Sequence, residues 1–433
     1  MKIIHCADLH LDSKMTTHLS GEQLRRRRAE LLHTFTRMAD YAAEQDVRAI
    51  LICGDLFDSK NISAQAVNTV YETIRRHPGI VFFYLTGNHE EGAFVDALPS
   101  VPENLKIFGS EWTAYRLGTV LIEGTNHFTE VPQASNVKEV PVPLKEEATD
   151  KKAASAEAPV FAAKCFGNQE HLKEASTEAP AFVNFRDPDE SAEERGNDDS
   201  ESAGAEKTIR VDTFRIVALH GQLTEYGGAD PETLNLQLLR NRGIDYLALG
   251  HIHAYKKGAL EPRGIWCYPG ALEGRGFDEC GEHGFVLLDI DEASGNCSDT
   301  FIPFASRNLW ELSVEIGGAA STIEIIEKME AVIAAAEKIR AEDMVRVVLT
   351  GRIDVCAEKN MTQILTHFRD RFELFQLRDE TSLDVNYLSF EHDASLKGEL
   401  VRLLQKDPVL SEDEKAEIVR CGLQALSGEE FEF

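Results

Sequence analysis

Several things are missing from this 433-residue chain, and each absence removes a class of function. No apolar stretch approaches the roughly 18 residues of a membrane span, so no membrane role is expected. The first residues, MKIIHCADLHLDS, lack a long apolar core and a small-residue cleavage site; they do not read as a signal peptide, and a cytoplasmic location is expected. The eight cysteines include no C-x-x-C pair. That argues against a disulfide framework or a zinc knuckle, and for buried thiols in a reducing compartment. Basic residues are in deficit: 45 Lys plus Arg against 74 Asp plus Glu give a formal net charge of −29. Such a chain has no general attraction for polyanions, so a nucleic-acid role must rest on local patches, metal ions or a partner. There is no internal repeat.

The length predicts two or three domains. Over the first 125 residues the short buried-type runs KIIHCA, VRAILICG and IVFFYLTG alternate with helical patterns at 21–45 and 62–77. This predicts an α/β unit with a parallel sheet, whose ligand site lies beyond the carboxyl ends of the strands. From Val131 to Lys207 the pattern dissolves into Ala, Glu, Ser, Pro and Lys, with 9 basic and 17 acidic residues. Little periodic apolar content remains there to offset ordering entropy, so residues 131–207 read as a disordered acidic insertion. Strand signals resume with FRIVALHG, YLALGH, GIWCYPG and GFVLLDID, which completes a first domain of residues 1–306. LWELSVEI, a helix at 321–340, MVRVVLTG, a helix at 361–370 and FELFQL predict a small α+β domain over 307–380. Residues 381–433 carry two helical patterns split by Pro408, with Ser411 and Glu414 as a capping box for the second, before a frayed EEFEF terminus.

The chemistry-bearing residues sit directly after the predicted strands: Asp8 and His10 in ADLHLDS, Asp55 in CGDLFDS, Asn88 and His89 in TGNHEEG, His220 in ALHGQ, and His251 and His253 in LALGHIHAYKKG. Carboxylate, amide oxygen and imidazole, with no thiolate, suit Mn²⁺, Fe²⁺ or Zn²⁺. Asp8, His10, Asp55, Asn88, His220, His251 and His253 are too many for one ion and suit two, with Asp55 as the natural bridge. Two ions about 3.5 to 4 Å apart form the clamp used for displacement at phosphorus, where they activate a water as the attacking hydroxide. His89, next to a ligand but not needed as one, is then the candidate acid. A single block of this kind closes many α/β loops without any such role; five in order, each after a strand, carry the assignment.

DLH, GD, GNH, HG and GHIH together resemble the metallophosphoesterase pattern of the calcineurin-like superfamily over residues 1 to about 290. The stretches HCADLHLDS, GDLFDS, YPGALEGRGFDECGEHGF and SLKGELVRLL are similar to the SbcD-type DNA-repair exonucleases, in particular their YhaO-like branch. The resemblance implies a four-layer αββα sandwich, with the second unit as a capping domain and the helical C-terminal tail as the partner-docking segment. It implies that Asp8, His10, Asp55 and His253 hold one Mn²⁺, that Asp55, Asn88, His220 and His251 hold the other, and that His89 is the acid. It further implies cleavage of DNA as the nuclease subunit of a repair complex with a coiled-coil ATPase of the SbcC or YhaN type; a homodimer is left open. Glu90 departs from the Asp more common after GNH in these nucleases. Phosphatases that share GNHE follow it with an arginine, where this chain has Glu91 and Gly92. A phosphatase or phosphodiesterase for a small nucleotide, and a non-catalytic scaffold of the same fold, are the alternative functions.

Further residues carry paired readings. Arg275 could grip a phosphate through bidentate hydrogen bonds, or make a structural ion pair with Asp278 or Glu279. Lys256 and Lys257 could steer a backbone phosphate, or be exposed hairpin lysines. Arg25 to Arg28 read as a solvated helix face ahead of a phosphate patch, and Asp12 and Asp58 as partners that orient ligand imidazoles.

Overall fold

The computed structural model describes residues 1–15, 19–87, 89, 90, 92–132, 135–142, 213–228, 230 and 232–427. Asn88, most of the expected insertion and the EEFEF terminus lie outside the described residues.

The apolar runs form strands where their pattern predicts. Lys2–Cys6, Val47–Cys53, Val81–Leu85 and Leu105–Ile107 pair in parallel, and Gly284–Ile290 and Cys297–Pro303 extend the other edge antiparallel, giving a six-stranded sheet. A seven-stranded sheet is built around Phe214–His220, which lies parallel to both Tyr246–Gly250 and Val120–Gly124. Side chains alternate across each strand, so the central strands serve two cores. Ile4, Ile50, Ile52 and Phe82 pack against Leu31, Phe35, Met38 and Val70 of the helices Gly21–Glu44 and Ala64–Arg76. Ile3, Leu51, Val81 and Phe83 instead face Ile122, Ile216, Ala218 and Ala248 of the second sheet. The outer face of that sheet, with Val217, Leu219, Leu247 and Leu249, is covered among the described residues by loops and the short helix Leu236–Leu239. The layered α/β sandwich is therefore present, with a thin fourth layer.

His5 lies between the two sheets, wholly buried, with Nδ1 2.9 Å from the Tyr246 hydroxyl. Burial lowers its pKa to about 3. The unfolded chain takes up this proton below pH 6.5 and the folded chain does not, so the stability is whole above pH 6.5 and falls as the pH drops. At 1.36 kcal/mol per unit the loss between pH 7 and pH 5 is about 2 kcal/mol. Urea midpoints at the two pH values should therefore diverge less in His5→Gln than in the natural chain; an unchanged divergence would refute this assignment.

The second unit is a parallel three-stranded sheet, Leu309–Glu315, Met344–Thr350 and Leu374–Asp379, crossed by the helices Thr322–Ala335 and Met361–Phe368. The first of these helices ends well before residue 340. Arg340 is instead turned so that its backbone N–H and its guanidinium both donate to Asp343, a buried carboxylate that also accepts from Asn308 N and Trp310 Nε1. Leu396–Gln405 and Glu412–Ser427 form the C-terminal helices, and both halves of the Ser411/Glu414 capping box are made.

Two sequence expectations need correction. Order extends past 131: Val131 is buried and Val137–Val140 adds an edge strand parallel to Thr113–Leu117. Four residues of strand geometry need only a paired edge, which composition does not report. Nor is Arg25 to Arg28 a simple solvated face. Arg27 is buried and donates to Glu30, Glu273 and the Gly274 carbonyl, and Arg28 donates to the Ser13 and Lys14 carbonyls. Arg26 reaches Glu373 of the second unit, where Arg307 also binds Glu30.

Candidate metal centre

The parallel strands of both sheets end at one edge, and the loops that leave them converge there. The turns are tight: Asp8, His10 and Asp55 have φ of 52°, 44° and 49°, and His251 has φ of 101°. Positive φ is uncommon outside glycine and costs about 1 to 3 kcal/mol, so four such residues in one cluster mark a place where geometry overrides local preference. Two glycines permit the approach. A Cβ on Gly87 would lie 1.9 Å from Asp55 Oδ1, and one on Gly250 would lie 1.8 Å from the Cys53 carbonyl oxygen.

Asp55 is central. Its Oδ2 lies 3.4 Å from His220 Nε2 and 3.8 Å from both His10 Nε2 and His89 Nε2, while its Oδ1 accepts from the His89 backbone N–H at 3.3 Å. Burial alone would raise this carboxyl, but His220, with His10 and His89, holds it well below the usual carboxylate range. Asp8 is buried too and accepts from the His251 backbone N–H at 2.8 and 3.0 Å; its pKa is raised by burial.

Two ligand groups emerge among the described residues: Asp8, His10 and His253, and Asp8, Asp55 and His220. In the first, His10 Nε2 and His253 Nε2 are 3.2 Å apart. That spacing would let both nitrogens serve one cation. In the second, His220 Nδ1 donates to the Cys53 carbonyl at 2.9 Å, which leaves Nε2 as the ring nitrogen facing Asp55. That Nε2 is buried and makes no hydrogen bond among the described residues. Burial would lower the His220 pKa, yet Asp55 and Asp8 raise it to about 9, a sign of how strongly the pocket attracts a cation. An orphaned buried nitrogen beside two carboxylates fits a divalent ion.

A calcineurin-like phosphoesterase model matches residues 1–255, more than half of the chain. The chain belongs to the calcineurin-like phosphoesterase family. Among its relatives, the metallophosphoesterase YhaO of Bacillus subtilis (strain 168) is 26% identical over 358 residues, covering 81% of this chain and 72% of that protein. The DNA double-strand break repair protein Mre11 of Sulfurisphaera tokodaii is 26% identical over 155 residues, 34% of this chain and 38% of that protein. The crystal structure of TT1561 of Thermus thermophilus aligns with a TM-score of 0.34 at 11% identity, over 69% of this chain and 98% of that one.

This metallophosphoesterase therefore belongs to a family that uses two divalent ions, and its two candidate ligand groups are ones that could hold a metal ion. Asp8, and not the expected Asp55, is common to both groups; the two carboxylates follow adjacent strands. His251 does not join either group: its ring meets His220 edge-on at 5.6 Å and its Nδ1 lies 3.8 Å from Glu232. His89 is the most exposed of these histidines, its side chain 53% accessible.

Around the ligands, Asp58 faces His10 Nδ1 at 3.2 Å and Glu279 faces His253 Nδ1 at 2.7 Å. Asp12 instead accepts from the Ser63 N–H ahead of the helix Ala64–Arg76. Arg275 is engaged by Asp58 and Glu279 rather than held free for a phosphate, and Lys257 donates to Asp299 at 2.7 Å. Lys256 is exposed. Sequence reasoning noticed Glu90 only as a departure from pattern. In the fold it is buried and its carboxylate accepts from the backbone N–H of Leu56 and Phe57 at 3.2 and 2.8 Å, and of Gly87 at 3.4 Å. It thereby ties the GNH turn to the GD turn, and burial raises its pKa to about 7. An acid immediately after two ligand-type residues was the available signal.

Proposed function

We propose that this metallophosphoesterase is a two-metal phosphodiesterase that cleaves DNA, working as the nuclease subunit of a repair complex with a coiled-coil ATPase. The observation that carries this reading is the exposure of His89. Small-molecule sites bury most of their ligand, whereas His89 stands half in solvent beside Asp55, which suits a phosphodiester inside a long polymer. The similarity to Mre11 over part of the chain points the same way. So does the second unit, fastened beside the catalytic domain through Arg307, Glu30 and Glu373.

Divalent ions, Mn²⁺ in this reading with Fe²⁺ or Zn²⁺ as alternatives, would neutralise charge on the phosphoryl oxygens and acidify the attacking water. The chain's own residues do the rest. Asp8 and Asp55 supply the negative charge that would hold the cations, the Cys53 carbonyl and Glu279 aim the imidazoles of His220 and His253, and Asp58 places its charge beside His10. His89, held against Asp55 by its own backbone N–H, delivers a proton to the leaving oxygen. With a net charge of −29, DNA binding falls to the ions and to the partner. The helical tail supports such docking: Leu388 and Val409 are 80% and 87% exposed, and Leu396 and Leu403 are exposed as well.

The test is purified protein with Mn²⁺ on linear duplex DNA, bis-p-nitrophenyl phosphate and nucleotide monoesters. Diester and DNA cleavage are expected, with His89→Ala slower by about 10²- to 10⁴-fold. Turnover of monoesters alone would replace the nuclease reading with that of a nucleotide phosphatase. No turnover of any substrate, even with the ATPase added, would favour the scaffold.

A further inference from the structure

We infer that Arg275 is a positioning residue that holds the two imidazoles of one metal site, His10 and His253, through two different carboxylates. The inference rests on the metal-centre reading above. Its basis is a continuous chain of contacts. Arg275 Nη1 donates to Asp58 Oδ1 at 2.7 Å, and that same oxygen faces His10 Nδ1 at 3.2 Å. On the other side, Arg275 Nη2 and Nε donate to Glu279 Oε1 at 2.8 and 3.2 Å, and that oxygen faces His253 Nδ1 at 2.7 Å. The Arg275 backbone N–H donates to the second Glu279 oxygen at 2.8 Å, and Nη2 also lies 3.3 Å from His253 Nδ1. The ring closes where His10 Nε2 and His253 Nε2 come within 3.2 Å.

The two histidines leave strands of different sheets, so no single backbone segment fixes their separation. At His253 the Glu279 carboxylate on Nδ1 sets the tautomer and aims the opposite nitrogen; at His10 the Asp58 carboxylate lies at ion-pair distance from Nδ1 without a hydrogen bond and acts through its charge, and either carboxylate does so only if it is itself held. Asp58 is partly exposed and would otherwise be drawn toward water. A planar guanidinium can grip two carboxylates at a fixed angle, which a lysine ammonium cannot do. Arg275 does not hold its own loop in place alone: Phe277 lies beneath the Arg346 guanidinium at 4.1 Å, and the Gly281 N–H donates to the Leu309 carbonyl. Removing the Arg275 side chain should therefore leave the loop docked and disturb the two imidazoles.

The experiment is titration of the full chain with Mn²⁺, following the free-ion paramagnetic resonance signal to obtain the number of bound ions and the affinity of each. The natural chain should bind two. In Arg275→Ala one ion should bind at least about tenfold more weakly while the other is unchanged, with the fold retained by circular dichroism. Arg275→Lys should recover little of the loss, and Asp58→Asn should weaken the same ion; these two carry the test if Arg275→Ala does not fold. Wild-type binding of both ions by Arg275→Ala, in a titration where His10→Ala loses one, would overturn the inference and leave the metal centre standing. Unchanged binding by His10→Ala would overturn the metal-centre reading itself, and the inference with it.

Discussion

Replacing Asp55 by Asn should reduce hydrolysis of bis-p-nitrophenyl phosphate by about 10³-fold or more at saturating Mn²⁺. One oxygen of this carboxylate lies within 3.8 Å of three imidazoles, His10, His89 and His220, which places its charge beside both candidate ligand groups. An amide of the same size leaves the turn in place but removes the charge that offsets two buried cations, and its NH₂ would point a donor where an acceptor is required. Metal-assisted stabilisation of a phosphoryl transition state is worth several kcal/mol, and each 1.36 kcal/mol is a factor of about ten. Circular dichroism should show the fold retained, since the core on either side of the strand Val47–Cys53 is untouched. Activity within about tenfold of the natural chain would refute the central role given to Asp55.

Glu90→Ala should show the largest loss of stability of any single change at the site, about 3 kcal/mol or more by urea unfolding, together with loss of activity. The carboxylate is wholly buried and accepts from three backbone N–H groups belonging to two different turns. Each buried donor left without an acceptor costs about 1 to 3 kcal/mol. Leu56 and Phe57 follow Asp55 directly, and Gly87 approaches it so closely that a Cβ there would collide with its carboxylate. Release of either turn therefore moves Asp55. Glu90→Gln keeps one acceptor oxygen and should fall between the two. A variant Glu90→Ala as stable as the natural chain would show that water replaces the carboxylate and that the staple is dispensable.

Much of the fold was legible because its signals are local. Short apolar runs ending in GD, HG or GH read as buried strands followed by tight turns, and Tyr246–Gly250 or Phe214–His220 matches its run to within a residue. The capping box at Ser411 is likewise a four-residue pattern. Failures occurred where a distant residue decides. Arg27 looks like one of four solvated arginines until Glu273, some 246 positions away, meets it in the interior. The edge strand Val137–Val140 exists only because Thr113–Leu117 offers it a ladder.

The site divides along the same line. Sequence alone dictated the types and order of the candidate ligands, since carboxylate and imidazole placed after successive parallel strands lie toward one edge of the sheets. Which of those groups come together depended on the folded chain. Asp8 is shared between both groups, His251 turns toward Glu232 and His220, and Arg275 is drawn from solvent into a clamp between Asp58 and Glu279. The reason is physical: a residue's chemistry is carried in its own atoms, whereas the direction of its side chain is set by the buried charges and hydrogen-bond partners that other strands bring within about 3 Å.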